Sequence, residues 1–143
     1  MENINQLLEG HSQNYREMAL QSDQYQPLRD ADGYGKRTGQ CGDTVEMYLR
    51  ISNDTIQEVG FQIEGCLNTN ACANTLAYMA KGKCMDDAWN LTSSHIIDYL
   101  ETLPPHENHC ADLACGAFYL ALKNAQDHKQ TPWKKQYQRS VPL

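Results

Sequence analysis

The chain has 143 residues, 41% of them hydrophobic, which suits one domain with one core and argues against a disordered polypeptide. Its formal net charge of −6 gives no support to a nucleic-acid partner, and no apolar run approaches the roughly 20 residues that cross a bilayer. Met1-Glu2-Asn3-Ile4 has neither the basic start nor the apolar core of a secretory signal. A cytoplasmic setting with six reduced cysteines is therefore expected, where thiols serve metals, catalysis or packing more often than disulfides.

Ile4, Leu7, Leu8, His11, Tyr15 and Met18 recur at helical spacing and predict an amphipathic N-terminal helix. Residues 21–37, with Pro27, Gly33 and Gly35, read as a loop carrying at most a short edge strand. From Thr44 the period changes. Val45, Met47, Leu49 and Ile51 alternate with Glu46, Tyr48 and Arg50, the pattern of a half-buried strand. Ser52-Asn53-Asp54-Thr55 supplies turn chemistry, and a second strand sets Val59, Phe61 and Ile63 on one face. With a loop of Asn53 to Thr55, Phe61 faces Met47 and Ile63 faces Val45. The same register puts Cys66 opposite Gly42, so Cys41 and Cys66 leave the hairpin at the same end. Ile56 falls out of phase and predicts a bulge near the turn.

After Gly65-Cys66 a helix is expected with Cys72, Leu76 and Met79 on one face and Gly82 closing it. A short helix over 85–90 follows. Another starts after Thr92 or Ser93 and carries Ile96, Ile97 and Leu100, until Leu103-Pro104-Pro105 stops it. His109-Cys110 opens a last helix with Leu113, Ala117, Leu120 and Ala121 as its buried stripe. No structure is expected beyond Asp127, where Pro132 and Trp133 stand among Lys129, Lys134, Lys135 and Arg139. The pattern is α+β: a small antiparallel sheet built on a β-hairpin and packed with about five helices. It forms a single unit over residues 1–128, followed by a basic tail over 129–143.

The chemistry lies with the cysteines. Cys41 stands in a glycine-containing loop two residues before Asp43, itself suited to a turn cap as well as to a ligand role. Cys66 and Cys110 sit at expected helix starts, where unpaired N–H groups favour thiolate. Three thiols and one carboxylate gathered by the hairpin and two helices suit a metal ion or an iron–sulfur cluster. His109-Cys110 also fits the nucleophile–base pair of a cysteine hydrolase. Cys72 reads as core, Cys84 as surface loop, and Cys115 as off the Cys110 face. His11, His95, His106 and His128 have no ligand-like spacing.

Cys41-Gly42-Asp43, Gly65-Cys66 and His109-Cys110, in that order, resemble the site of the IscU/NifU-type iron–sulfur cluster assembly scaffolds. The resemblance covers about residues 39–125 and includes Lys81-Gly82-Lys83 and Leu103-Pro104-Pro105. It implies a scaffold or carrier rather than an enzyme, on which a [2Fe–2S] cluster is assembled. Sulfur comes as persulfide from a cysteine desulfurase, iron or electrons come from a donor such as a ferredoxin, and the cluster passes to apo-proteins. It implies Cys41, Cys66, Cys110 and Asp43 as ligands, His109 as an alternative ligand, and Cys110 as the persulfide acceptor. Zn²⁺ would also suit these donors, and a zinc-dependent sulfurtransferase or desulfurase activator is the alternative function. Three features depart from the pattern. The run after Cys66 reads Leu67-Asn68-Thr69-Asn70-Ala71-Cys72 rather than a row of small residues. Leu103-Pro104-Pro105-His106-Glu107 replaces Leu-Pro-Pro-Val-Lys and reverses a charge, which counts against delivery by a DnaK-type chaperone. No Cys-x-x-Cys module like that of full-length NifU follows.

Overall fold

The computed structural model describes residues 8–130. Their elements run α1 (Gln13–Leu20), β1 (Gly33–Thr38), β2 (Thr44–Ser52), β3 (Thr55–Glu64), α2 (Leu67–Ala80), α3 (Met85–Ala88), α4 (Ser93–Leu100), a 3₁₀ turn (Pro105–Glu107) and α5 (Asn108–Gln130). The strands form one antiparallel sheet in the order β1-β2-β3, as the α+β expectation requires. Among the described residues no helix is long and apolar enough to cross a membrane.

The hairpin follows its hydrophobic alternation. Met47 pairs with Phe61 and Val45 with Ile63, and the ladder ends at Thr44 and Glu64, on the side toward Cys66. The loop is one residue shorter than expected. Asn53 and Asp54 both take positive φ, 53° and 58°, the left-handed conformation of a two-residue hairpin turn that these two residue types tolerate. Ser52 then pairs with Thr55 and Ile51 with Ile56, and the register shifts between Arg50 and Ile51. That bulge turns Ile56 inward, where it is fully buried. The outer edge of β3 is covered rather than open: Phe61 N–H donates to Gln24 O at 3.0 Å and Ile56 N–H to Lys83 O at 2.8 Å.

The helices cover one face of the sheet. β1 makes this possible because its inward positions are glycines. Gly33 and Gly35 pair with Leu49 and Met47, and a Cβ at either glycine would overlap the carbonyl oxygen of Ala121 or Ala117 in α5. The backbone of α5 therefore lies directly against β1, a close approach that no larger residue permits. Val45, Met47, Leu49 and Phe61 meet Leu76, Ile96, Phe118 and Leu122 in one core from which water is excluded. Cys72 belongs to that core, as expected.

Several boundaries differ from the sequence reading. α1 begins only after Ser12, whose hydroxyl accepts from Tyr15 N–H, so Leu8 and His11 precede the helix; Ile4 and Leu7 lie outside the described residues. His11 stacks on Tyr15 with ring centroids 3.8 Å apart. Leu120, expected in the buried stripe of α5, is exposed, while Phe118 and Leu122 take the interior. α5 runs three residues past Asp127, and the rest of the expected tail lies outside the described residues.

Gly35→Ala should lower unfolding stability by about 1–3 kcal/mol, since the added methyl forces α5 away from the sheet. Urea denaturation checks this; a wild-type midpoint would show that the strand and helix can separate without loss.

Candidate functional site

Three elements end at one corner. β2 begins there with Asp43 just before it, β3 hands over to Cys66 at the N-cap of α2, and the first turn of α5 carries Cys110. Asp43, Cys66 and Cys110 bring one carboxylate oxygen and two sulfurs within 4.8 Å of one another. Gly65 makes room for this, because a Cβ there would lie 2.9 Å from Asp43 Oδ2. The Thr69 hydroxyl sits among the three. It donates to Asp43 Oδ2 at 2.8 Å and lies 3.5 Å from Cys110 Sγ and 3.7 Å from Cys66 Sγ. Thr69 is fully buried, so this hydroxyl fixes the carboxylate's orientation.

A second group shares the same sulfur. Glu107, His109 and Cys110 also place their donor atoms within 4.8 Å of one another. Cys110 Sγ donates to Glu107 Oε2 at 3.4 Å, and His109 Nε2 lies 3.6 Å from both. The neighbours His109 and Cys110 thus do approach, because the chain is turning from the 3₁₀ segment into α5 at this point.

The expectation that a helix start would favour the Cys110 thiolate is not met. Burial pushes the thiol up to about 12, against the hydrogen bond from Thr69, which favours the thiolate; the Glu107 carboxylate then reinforces the upward shift. Loss of hydration outweighs the N-terminal dipole here. Cys115 is likewise buried and pushed up to about 12.

The structure gathers Asp43, Cys66, His109 and Cys110. Cys41 is exposed in the turn between β1 and β2, where Gly42 N–H donates to Gly39 O at 3.0 Å and Gly42 has a φ of 92°. It belongs to neither donor group, although it stands at the same end of the sheet as Cys66. Cys84 is half-buried at the N-cap of α3. Two participants were not singled out from the sequence: Thr69 and Glu107. Each stands three residues from a cysteine, the spacing at which helical neighbours meet, and that spacing was the available signal.

The family described as the NifU-like N terminal domain matches residues 22–132. The iron-sulfur cluster assembly scaffold protein IscU of Aquifex aeolicus is 35% identical over 100 residues, 68% of this chain and 64% of that one. IscU 1 of Archaeoglobus fulgidus, named likewise as a scaffold, is 32% identical over 96 residues, 66% of this chain and 63% of its own. The chain thus spans somewhat under two thirds of the length of these curated relatives. Among solved structures, a putative iron-sulfur cluster assembly scaffold protein for the SUF system from Fervidobacterium islandicum AW-1 has a TM-score of 0.67 at 19% identity, covering 78% of this chain and 95% of that one. The N-terminal part of a nitrogen-fixing NifU-like protein from Brucella abortus has a TM-score of 0.65 at 16% identity, covering 81% and 94%. At these identities the structural likeness shows the fold.

In the reduced, metal-free protein, iodoacetamide near neutral pH should modify exposed Cys41 and Cys66 well before Cys110, because the reactive species is the thiolate. Peptide mapping over time reads the order; early modification of Cys110 would contradict its burial and raised pKa.

Proposed function

This chain belongs to the NifU-like N-terminal domain family, and from that premise we propose that it is an assembly scaffold, not an enzyme. On it a [2Fe–2S] cluster is built from iron and cysteine-derived sulfur and then passed to apo-proteins. The observation that carries the proposal is the meeting of Asp43, Cys66 and Cys110 at one corner of the sheet, two soft donors and one hard one within 4.8 Å. Iron in such clusters is held by thiolates, while a carboxylate is a weaker partner. A site with both kinds of donor holds the cluster and still releases it.

Cys41, Cys66, Cys110 and Asp43 are the proposed ligands, with His109 as the alternative. Cys41 completes the set by movement of its exposed loop, where Gly42 supplies conformational freedom. Cys110 is the proposed persulfide acceptor. Burial raises the pKa of its thiol, and iron binding at the corner would displace the proton and supply the thiolate. That thiolate attacks the outer sulfur of the donor's persulfide; the donor's S–S bond breaks and its thiolate leaves. The partners are a cysteine desulfurase, a ferredoxin-like donor and apo iron–sulfur proteins, in the cytoplasm. Zn²⁺ would bind the same donors in purified protein. Residues 1–128 form the scaffold unit and 129–143 its basic appendage.

Anaerobic reconstitution with iron and sulfide should give the visible absorption and Mössbauer signature of a [2Fe–2S] centre. Cys41→Ser, Cys66→Ser and Cys110→Ser should each abolish it, while Cys84→Ser and Cys115→Ser retain it. A protein that takes up zinc but forms no cluster would overturn the proposal.

Asp43→Ala should lengthen the life of the bound cluster under a mild chelator, because the weakest ligand is the point of exchange and His109 takes its place. Thermal unfolding serves as the control. Faster loss of visible absorption from a well-folded variant would reduce Asp43 to a loop cap.

A further inference from the structure

The surface changes character at the end of α2 remote from Cys66. Lys81 caps that end, and the 14 residues of the helix set it about 21 Å from the Cys66 end. An open cleft of about 700 Å³ lies there, and its lining includes Gln24, Tyr78, Lys81, Lys83, Leu91 and His95. No lining residue is acidic, in a chain whose net charge is −6. Gly82, at a φ of 90°, turns the chain so that the lysines on both sides of it reach the same cleft. Among the described residues neither lysine ammonium forms an ion pair. His95 adds a directed donor. Its Nδ1 accepts from Thr92 N–H at 3.1 Å, which leaves the proton of the neutral ring on Nε2. Beside these groups Tyr78 keeps 56% of its surface exposed. The side-chain carbonyl oxygen of Gln24 is buried and has no hydrogen-bond partner among the described residues.

We propose that this cleft docks an acidic, partly apolar segment of a partner protein. Carboxylates of the segment meet Lys81, Lys83 and the Nε2–H of His95, an apolar side chain covers Tyr78 and Leu91, and a backbone N–H satisfies the Gln24 carbonyl. Charge complementarity selects this occupant. A chain of net charge −6 repels an acidic partner over most of its surface, so a single cationic cleft orients the partner as well as holding it. The open shape favours a protein segment over a small anion. A free small ligand is held by enclosing most of its surface, whereas the exposed Tyr78 ring offers one face and leaves the other to water. A segment instead brings several carboxylates and an apolar side chain on one backbone. The docking site does not depend on the donor corner. Where the scaffold reading holds, a partner held here leaves that corner open and raises the effective concentration of its own reactive part there.

The test is titration of the metal-free full chain with a synthetic peptide that carries a leucine–phenylalanine pair between glutamates, read by amide NMR shifts and by calorimetry at low and high salt. Saturable binding is expected, with shifts at residues 78–83 and 91–95 and an affinity that falls as salt rises. Lys81→Gln and Lys83→Gln together should weaken it roughly tenfold. Tyr78→Ala should weaken it several-fold and leave the salt dependence in place. Unchanged binding to the double lysine variant, or shifts centred on other residues, would overturn the proposal. So would equal binding of the same peptide with glutamine in place of glutamate. Inorganic pyrophosphate that binds more tightly than the peptide and displaces it would also overturn it, by making the cleft a small-anion site. Cluster reconstitution, measured separately, keeps the two claims apart: peptide binding without cluster formation removes the scaffold function alone, and a cluster on a chain that ignores the peptide removes the docking site alone.

Discussion

The approach of α5 to β1 is the constraint on which the corner depends. Gly33 and Gly35 lack the atoms that would hold the helix off the sheet, so backbone packs on backbone. The helix axis is thereby fixed relative to β2, and its first turn is carried to the point where β2 starts and β3 ends. Asp43, Cys66 and Cys110 come from positions far apart in the chain, and the donor group exists because those three chain ends share this anchor. A strand with side chains at the two glycine positions would displace α5 and open the corner.

The same packing sets the chemical state of the thiols. Cys110 is deep enough for desolvation to overrule the helix dipole, while Cys66, one element away, is exposed. The corner thus pairs a buried, protonated sulfur with an accessible one. Thr69 and Glu107 act in opposite directions on the buried sulfur: the Thr69 hydroxyl, whose single proton Asp43 and the sulfur share, favours the thiolate, while Glu107 accepts the sulfur's proton and favours the thiol. A bound cation changes the sign of this arrangement, because it replaces the proton and turns the Glu107 carboxylate from a neighbour that disfavours the thiolate into a counter-charge. Metal-free and loaded forms of such a site are expected to differ more in electrostatics than in fold.

Much of this was legible in the residues. The alternation from Val45 to Ile51 and from Val59 to Ile63 determined the hairpin, its inward face and its register, because a one-residue slip would have turned every apolar side chain outward. The phase break at Ile56 announced the bulge. Cys72 declared itself core by its helical stripe, and the order of Cys41, Asp43, Cys66, His109 and Cys110 identified the family resemblance. These are local signals, carried by spacing along the chain.

What spacing cannot carry is depth and distance between elements. The sequence placed Cys110 at a helix start and so suggested an activated thiolate; tertiary packing buried that start and reversed the sign. Glu107 read as a charge reversal in a loop, and only the entry into α5 brought its oxygen to 3.4 Å from the sulfur. Cys41 and Cys66 were correctly assigned to one end of the hairpin, yet the turn at Gly42 leaves Cys41 exposed and apart from the donor groups. Hydrophobic period is a property of neighbours in sequence, whereas desolvation and donor geometry depend on which atoms the whole fold packs around a group, and these were decided by the closeness of α5 to the sheet.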